Sequence, residues 1–222
     1  MASFKFRTGP ESDEAKFARR LGELRQQVHL FRPMDLASRS GAAFHPHSAE
    51  SGEFRFALWG RGARLTFPDL VVQYAGDSDP APPFLQALLL YYFASSDGAK
   101  PSGEFISFSE LPEGRFYNQA FQGYTGKELS RRFGLDVERF RRVAQAAGGH
   151  SYPLGDAAFL FQALPRLALL VVYWQGDEDF PSSCQILFES TASHYMPTDG
   201  CAILGSLLTR KLLSAEENDP RD

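Results

Sequence analysis

A chain of 222 residues with 43% hydrophobic and 23% charged side chains is long enough to close a sizeable core and too apolar for wholesale disorder. Its formal net charge of −4 gives no overall attraction to nucleic acid or anionic membrane, and no apolar run reaches the length of a bilayer span. Cys184 and Cys201 are the only cysteines and lack the close-spaced partners of a metal site, so buried, reduced thiols are expected.

The opening residues, MASFKFRTGPESDEAK, have no apolar leader core and carry acids early, which predicts a cytoplasmic protein. Over residues 13–31, Phe17, Leu21, Leu24, Val28 and Phe31 recur at three- and four-residue steps, the spacing of an amphipathic helix that Ser12 or Asp13 would cap. Residues 33–52 turn small and polar with no surviving period and read as a loop or linker. Phe54, Phe56 and Leu58 alternate before Gly60-Arg61-Gly62, and Leu65 and Phe67 alternate after it, which predicts a hairpin. A prolines-then-apolar stretch predicts a mostly buried helix over residues 84–94, and residues 103–111 suggest a short strand.

Two short helices follow, residues 127–133 and 137–147, joined at Gly134 and ended by Gly148-Gly149. Beyond them come a strand pair at 157–163 and 166–174, a strand at 185–188, a helix over 198–213, and a charged tail from 214 to 222 that is expected to fray. Residues 70–79, LVVQYAGDSD, match six of ten positions in residues 170–179, LVVYWQGDED, each an apolar strand leading into an acidic turn. The chain therefore predicts an α+β fold, one domain over residues 1–222 with antiparallel sheets and packed helices, and it leaves open two similar hairpin-plus-helix halves.

Twenty Phe, eight Tyr and two Trp are enough to fill a thick core or to line an apolar pocket. The acidic turns offer Asp77, Asp79, Asp177, Glu178 and Asp179, a spacing that metal-dependent hydrolases and transferases use for a hard cation, although both turns run on into proline. Solvated turn acids are the alternative, since turns select Asp in any case. His45-Pro46-His47 is a minimal metal clamp in a polar loop, and His194 has a potential carboxylate partner in Glu189. Ser190 and Ser193 lack a nucleophile-elbow motif. Residues 127–142, KELSRRFGLDVERFRR, superficially copy a helix-turn-helix reader, but Glu128, Asp136 and Glu138 interrupt the basic face and make nucleic acid a poor match.

Residues 148–197 carry Gly148-Gly149, Asp156, Leu164-Pro165-Arg166, the run from Trp174 to Pro181 and Leu187-Phe188-Glu189. In this order the residues resemble the family catalogued as domain of unknown function 3786, with Glu189 where the pattern has Asp. The likeness covers most of residues 54–213. It implies an uncharacterised protein of a family found in bacteria and archaea, some members of which add a cysteine-rich iron-sulfur segment that this chain lacks. Around that pattern Arg166, Trp174, Asp156, Asp177 and Asp179 combine a forked cation, an aromatic plate and acids, a set suited to holding an unidentified cofactor or small molecule, with Arg166, Trp174 and Asp156 as its contacts. A salt-bridged turn packed under a tryptophan is the plainer alternative. The functional expectation is a binding module for a small molecule, cofactor or protein partner, with the divalent-metal enzyme as its rival.

Overall fold

The computed structural model describes residues 13–217. Two antiparallel sheets and the helices around them give the expected α+β fold. Helix α1 (Asp13–His29) and helix α2 (Pro33–Ser40) lead into a four-stranded sheet of β1 (Ala43–Pro46), β2 (Gly52–Leu58), β3 (Arg61–Phe67) and β4 (Val72–Tyr74), in that spatial order. Helix α3 (Pro83–Ser95) connects it to the second sheet. That sheet has five strands in the order β5-β9-β8-β7-β6: β5 (Phe105–Ser107), β6 (His150–Tyr152), β7 (Ala157–Leu164), β8 (Leu167–Trp174) and β9 (Ser183–Glu189). Helices α4 (Gly114–Tyr124), α5 (Gly126–Phe133) and α6 (Val137–Ala146) separate β5 from β6, and α7 (Thr198–Glu217) is the last element among the described residues. No helix among the described residues is long and apolar enough to cross a membrane.

The first hairpin forms because Phe54, Phe56 and Leu58 face inward from β2 while Arg55 and Ala57 stay exposed. Its turn is Trp59-Gly60, both with positive φ, one residue earlier than the glycine pair suggested. Trp59 N also donates to Ala163 O across 3.0 Å, tying this hairpin to β7 of the second sheet. Helix α3 lacks a polar face because most of it is enclosed: Leu85, Leu88, Leu89, Tyr92 and Phe93 are all buried, with Phe93 against Phe54 at a centroid distance of 5.2 Å, while the stripe through Phe84 and Tyr91 stays partly open. In the same way β8 is apolar at every position because both its faces are covered. Leu167, Leu169, Val171 and Tyr173 join the main core, while Leu170 and Val172 lie under Phe105, Tyr152 and Trp174 on the opposite face.

One continuous core spans both sheets, from Leu24 of α1 to Leu212 of α7. Much of the aromatic excess fills it. Phe108 stacks on Phe121 at 4.1 Å, and Phe140 stacks on Tyr173 at 4.8 Å.

Two expectations are corrected. Residues 33–52 are not a loop: Pro33 starts α2 and Gly41, at φ 73°, ends it, and β1 follows. The period was invisible because an eight-residue helix buries only Leu36 and Ser40, and the four-residue β1 is anchored by Phe44 on Phe54 at 4.9 Å. Nor does the tail fray from residue 214, because α7 runs on to Glu217 and Glu216 is fully buried. Helix α4 and strand β6 were not anticipated.

The two matching ten-residue segments occupy unlike places. Residues 170–174 are the second half of the central strand β8, whereas residues 72–74 are the whole of the edge strand β4. The open side of β4 is occupied by a side chain. Gln86 Oε1 accepts from Val72 N at 2.8 Å and Nε2 donates to Val72 O at 2.9 Å, so the amide substitutes for a neighbouring strand.

Candidate functional site

Arg166 lies in the turn between β7 and β8 and Trp174 at the far end of β8, roughly 26 Å apart at strand rise. Asp156 adjoins Trp174: its Oδ2 accepts from Gln175 N at 2.8 Å and its N donates to Tyr173 O at 3.0 Å. The strand pair therefore separates Arg166 from the other two expected contacts, and no single site holds all three. Asp156 and its carbonyl, which accepts from Arg141, brace the entry to β7. Half-buried Trp174 packs on the small apolar cluster around Leu170 and Val172.

The acidic turns are built from their own carboxylates. Asp177 Oδ1 accepts from Asp179 N at 2.9 Å and Phe180 N at 2.8 Å, which shapes the turn locally. Asp77 Oδ1 accepts from Arg61 Nη2 at 2.7 Å, and that guanidinium lies 4.0 Å from the Tyr74 ring centre. Asp79 and Asp179 are exposed. Among the described residues no group of three or more His, Cys, Asp and Glu is placed to hold a metal ion. The arginines of residues 127–142 are engaged inside the chain: Arg132 and Arg139 with buried Glu216, Arg131 with Glu128, and Arg141 with Glu138.

A dense polar junction does form where the end of α3, the turn at Arg166 and the segment after β9 meet. Tyr92, fully buried, donates its hydroxyl to Ser40 O at 2.5 Å and accepts from Arg166 N at 3.1 Å. Tyr195 stacks beside it at 6.0 Å and donates to Ala99 O. Burial raises the pKa of both phenols. Glu189 is only 2% exposed yet accepts from Ser102 N and Oγ, Gly103 N, and Thr191 N and Oγ1. Burial pushes its carboxyl up, but the donors of Thr191 and Ser102 outweigh that and hold its pKa below the ordinary range.

Glu189 is thus a clamp between two connectors and not the partner of His194. The carboxylate on His194 Nδ1 is Asp97 Oδ2, at 2.6 Å, with both side chains about half exposed. The hydrogen bond from His194 lowers the pKa of Asp97. Sequence distance hid this pair, since 97 positions separate its members.

A cluster of exposed apolar side chains, Phe17, Phe84, Tyr117 and Ile203, lies elsewhere, along α7. Its outer face, Asp199, Ala202, Ile203, Ser206, Arg210 and Leu213, repeats at helical spacing. On one side Phe17 and Leu21 of α1, Phe84, Leu88 and Tyr91 of α3 and Ile203 enclose an apolar groove of about 410 Å³, with Arg20 and Asp199 as its charged rim. Phe17, Phe84 and Ile203 are 39%, 51% and 44% exposed, high for side chains of this type clustered together. Arg20 is already engaged by Tyr91 Oη at 2.7 Å and by Glu23, whereas Asp199 makes no side-chain hydrogen bond or ion pair among the described residues. On the other side Tyr117 and Tyr124 of α4 flank a second groove of about 560 Å³ that meets the first at Asp199 and Ile203. Helical periodicity marked Phe17 and Leu21 as one face of α1, but it could not say that this face would remain partly open.

A family model described as Domain of unknown function (DUF3786) matches residues 32–211, more than half of the chain. No curated protein and no solved structure matches it.

Proposed function

The chain belongs to the family described as Domain of unknown function (DUF3786), and we propose that it is a cytoplasmic binding module whose ligand is a small amphipathic molecule with an apolar body and a cationic or hydrogen-bond-donating head. The observation that carries this reading is the groove between α1, α3 and α7. Its volume of about 410 Å³ lies within the range of small-molecule sites, and it is walled by aromatic and aliphatic side chains with few polar groups. Arg20 is already neutralised by Glu23, so Asp199 is the rim charge left to meet a ligand head. A ligand seated there covers Phe17, Phe84 and Ile203, removing their apolar surface from water at about 25 cal/mol per Å².

The test is titration with the neutral dye N-phenyl-1-naphthylamine, followed by displacement with dodecylamine or dodecanoate. Dye fluorescence rises with the wild type and at least tenfold more weakly with Ile203→Glu, and dodecylamine displaces the dye at lower concentration than dodecanoate, a preference that Asp199→Asn removes. Equal dye binding by wild type and Ile203→Glu overturns the assignment. A second reading, a partner's amphipathic helix laid along α7, is favoured by the continuity of the two grooves: positions 199–213 run roughly 21 Å. In that case the small amphiphiles fail to bind while the α7 face still protects on complex formation.

A further inference from the structure

On the other side of α4 lies a groove of about 560 Å³ with the opposite character. Asn118 and Gln122 stand one turn apart on α4, Lys127 is in the first turn of α5, and Ser183 and Gln185 come from β9. None of these five side chains makes a hydrogen bond or ion pair among the described residues, and Asn118 Oδ1 is buried without a partner. The remaining serines around them are already engaged: Ser107 Oγ donates to Glu110 Oε2 at 2.7 Å and Ser130 Oγ to Lys127 O at 3.1 Å.

The gap exists because strand β5 stops short. It pairs with β9 only at positions 187–189, so the first half of β9 has no strand on that side, and Gly126 covers it instead. A Cβ at residue 126 would lie 2.1 Å from Cys184 O and 2.7 Å from Gln122 Oε1, so glycine permits the close approach that forms the floor. No carboxylate lines the groove, and its single charge is a lysine, in a chain whose net charge is −4.

Unsatisfied buried polar atoms are uncommon in folded proteins, and each calls for a partner. Here one such atom, Asn118 Oδ1, sits beside the half-buried Gln122 and the exposed Lys127, Ser183 and Gln185, and the charge balance of that space is positive. We propose that this groove is a second binding site, for a small polyol or amide bearing one carboxylate or phosphate group. Its oxyanion pairs with Lys127, and its hydroxyl or amide groups satisfy Asn118, Gln122 and Gln185. The site is independent of the apolar groove along α7, because it draws on no residue of that helix.

The experiment is a ¹H–¹⁵N correlation titration of the whole chain with three probes: D-gluconate, glycerol 3-phosphate and inorganic phosphate, with glycerol as the neutral control. Shifts of the Asn118 and Gln122 side-chain amides and of the Gly126 amide are expected. Gluconate alone acting assigns a carboxylate, and the two phosphates acting assigns a phosphate. Lys127→Ala, an exposed substitution that leaves the fold intact, weakens binding at least tenfold. If none of the probes moves these resonances, or if Lys127→Ala binds as the wild type does, the proposal is overturned.

Discussion

Glu216→Ala offers the most demanding test of the fold, because the sequence placed this residue in a frayed tail and the structure buries it completely. Its Oε2 accepts from Arg132 Nε at 2.7 Å and Nη2 at 2.6 Å, and its Oε1 accepts from Arg139 Nη2. Breaking a buried ion pair by removing one partner costs about 3–5 kcal/mol, since the other charge is left without compensation. The lower end applies here, because the Arg132 side chain is 47% exposed and recovers water, whereas Arg139 is 22% exposed and recovers little. A loss of about 3 kcal/mol corresponds to a fall in Tm of about 6–12 °C for a chain of this size. Urea unfolding followed by circular dichroism measures it, with Glu217→Ala as the exposed control, expected within about 0.5 kcal/mol of wild type. A loss below about 1 kcal/mol for Glu216→Ala, or an equal loss for Glu217→Ala, would refute the reasoning and restore the frayed tail.

Three further outcomes follow from the packing. Glu189 has a folded pKa held below its ordinary value near 4.5, so the stability it contributes is complete above that pH and is lost as the pH falls toward the folded pKa. Glu189→Gln, which loses charged hydrogen bonds, is expected to cost about 2–3 kcal/mol at pH 7 and to flatten the acid limb of the stability profile; an unchanged acid limb would contradict the clamp. Gly126→Ala is expected to destabilise by about 1–3 kcal/mol in the same urea assay, because the new methyl meets the backbone carbonyl of Cys184, and a neutral result would mean the α4–α5 break yields freely. Both thiols are buried, with burial pushing Cys201 up to about 12 and Cys184 up as well, so a thiol reagent at pH 8 is expected to titrate neither until the chain is unfolded.

Where periodicity and burial coincide, the sequence was readable. The β2–β3 hairpin, α3, α5, α6, the β7–β8 pair and α7 each carry enough buried apolar positions to set a period, and each appeared within a few residues of its place. Elements with little core contact were lost: α2 buries Leu36 and one serine, and β6 is three residues at an edge. The polar chemistry failed for a different reason. Glu189, His194 and Arg166 were visible as residues, but their partners lie 87, 97 and 74 positions away, and pairing over such distances is fixed by packing rather than by local pattern. The acidic turns are the converse case. Their regular spacing suggested a shared cation, yet Asp177 answers to its own backbone and Asp77 to Arg61.

Helix α4 joins these cases to the two grooves. It buries only Gly114 and Phe121, carries glycine near both ends of its sequence, and leaves Phe116 at 93% exposure, so its one aromatic stripe, Tyr117, Phe121 and Tyr124, is short and sends only Phe121 into the core. Its remaining side chains wall two surfaces: Tyr117 and Tyr124, seven residues apart, face the trough along α7, while Asn118 and Gln122, four apart and turned about 100° or more around the axis, face the polar groove. A helix with so little buried surface is where local pattern is weakest, because Tyr117, Asn118 and Gln122 all remain at least partly exposed and only Phe121 is fixed by the core.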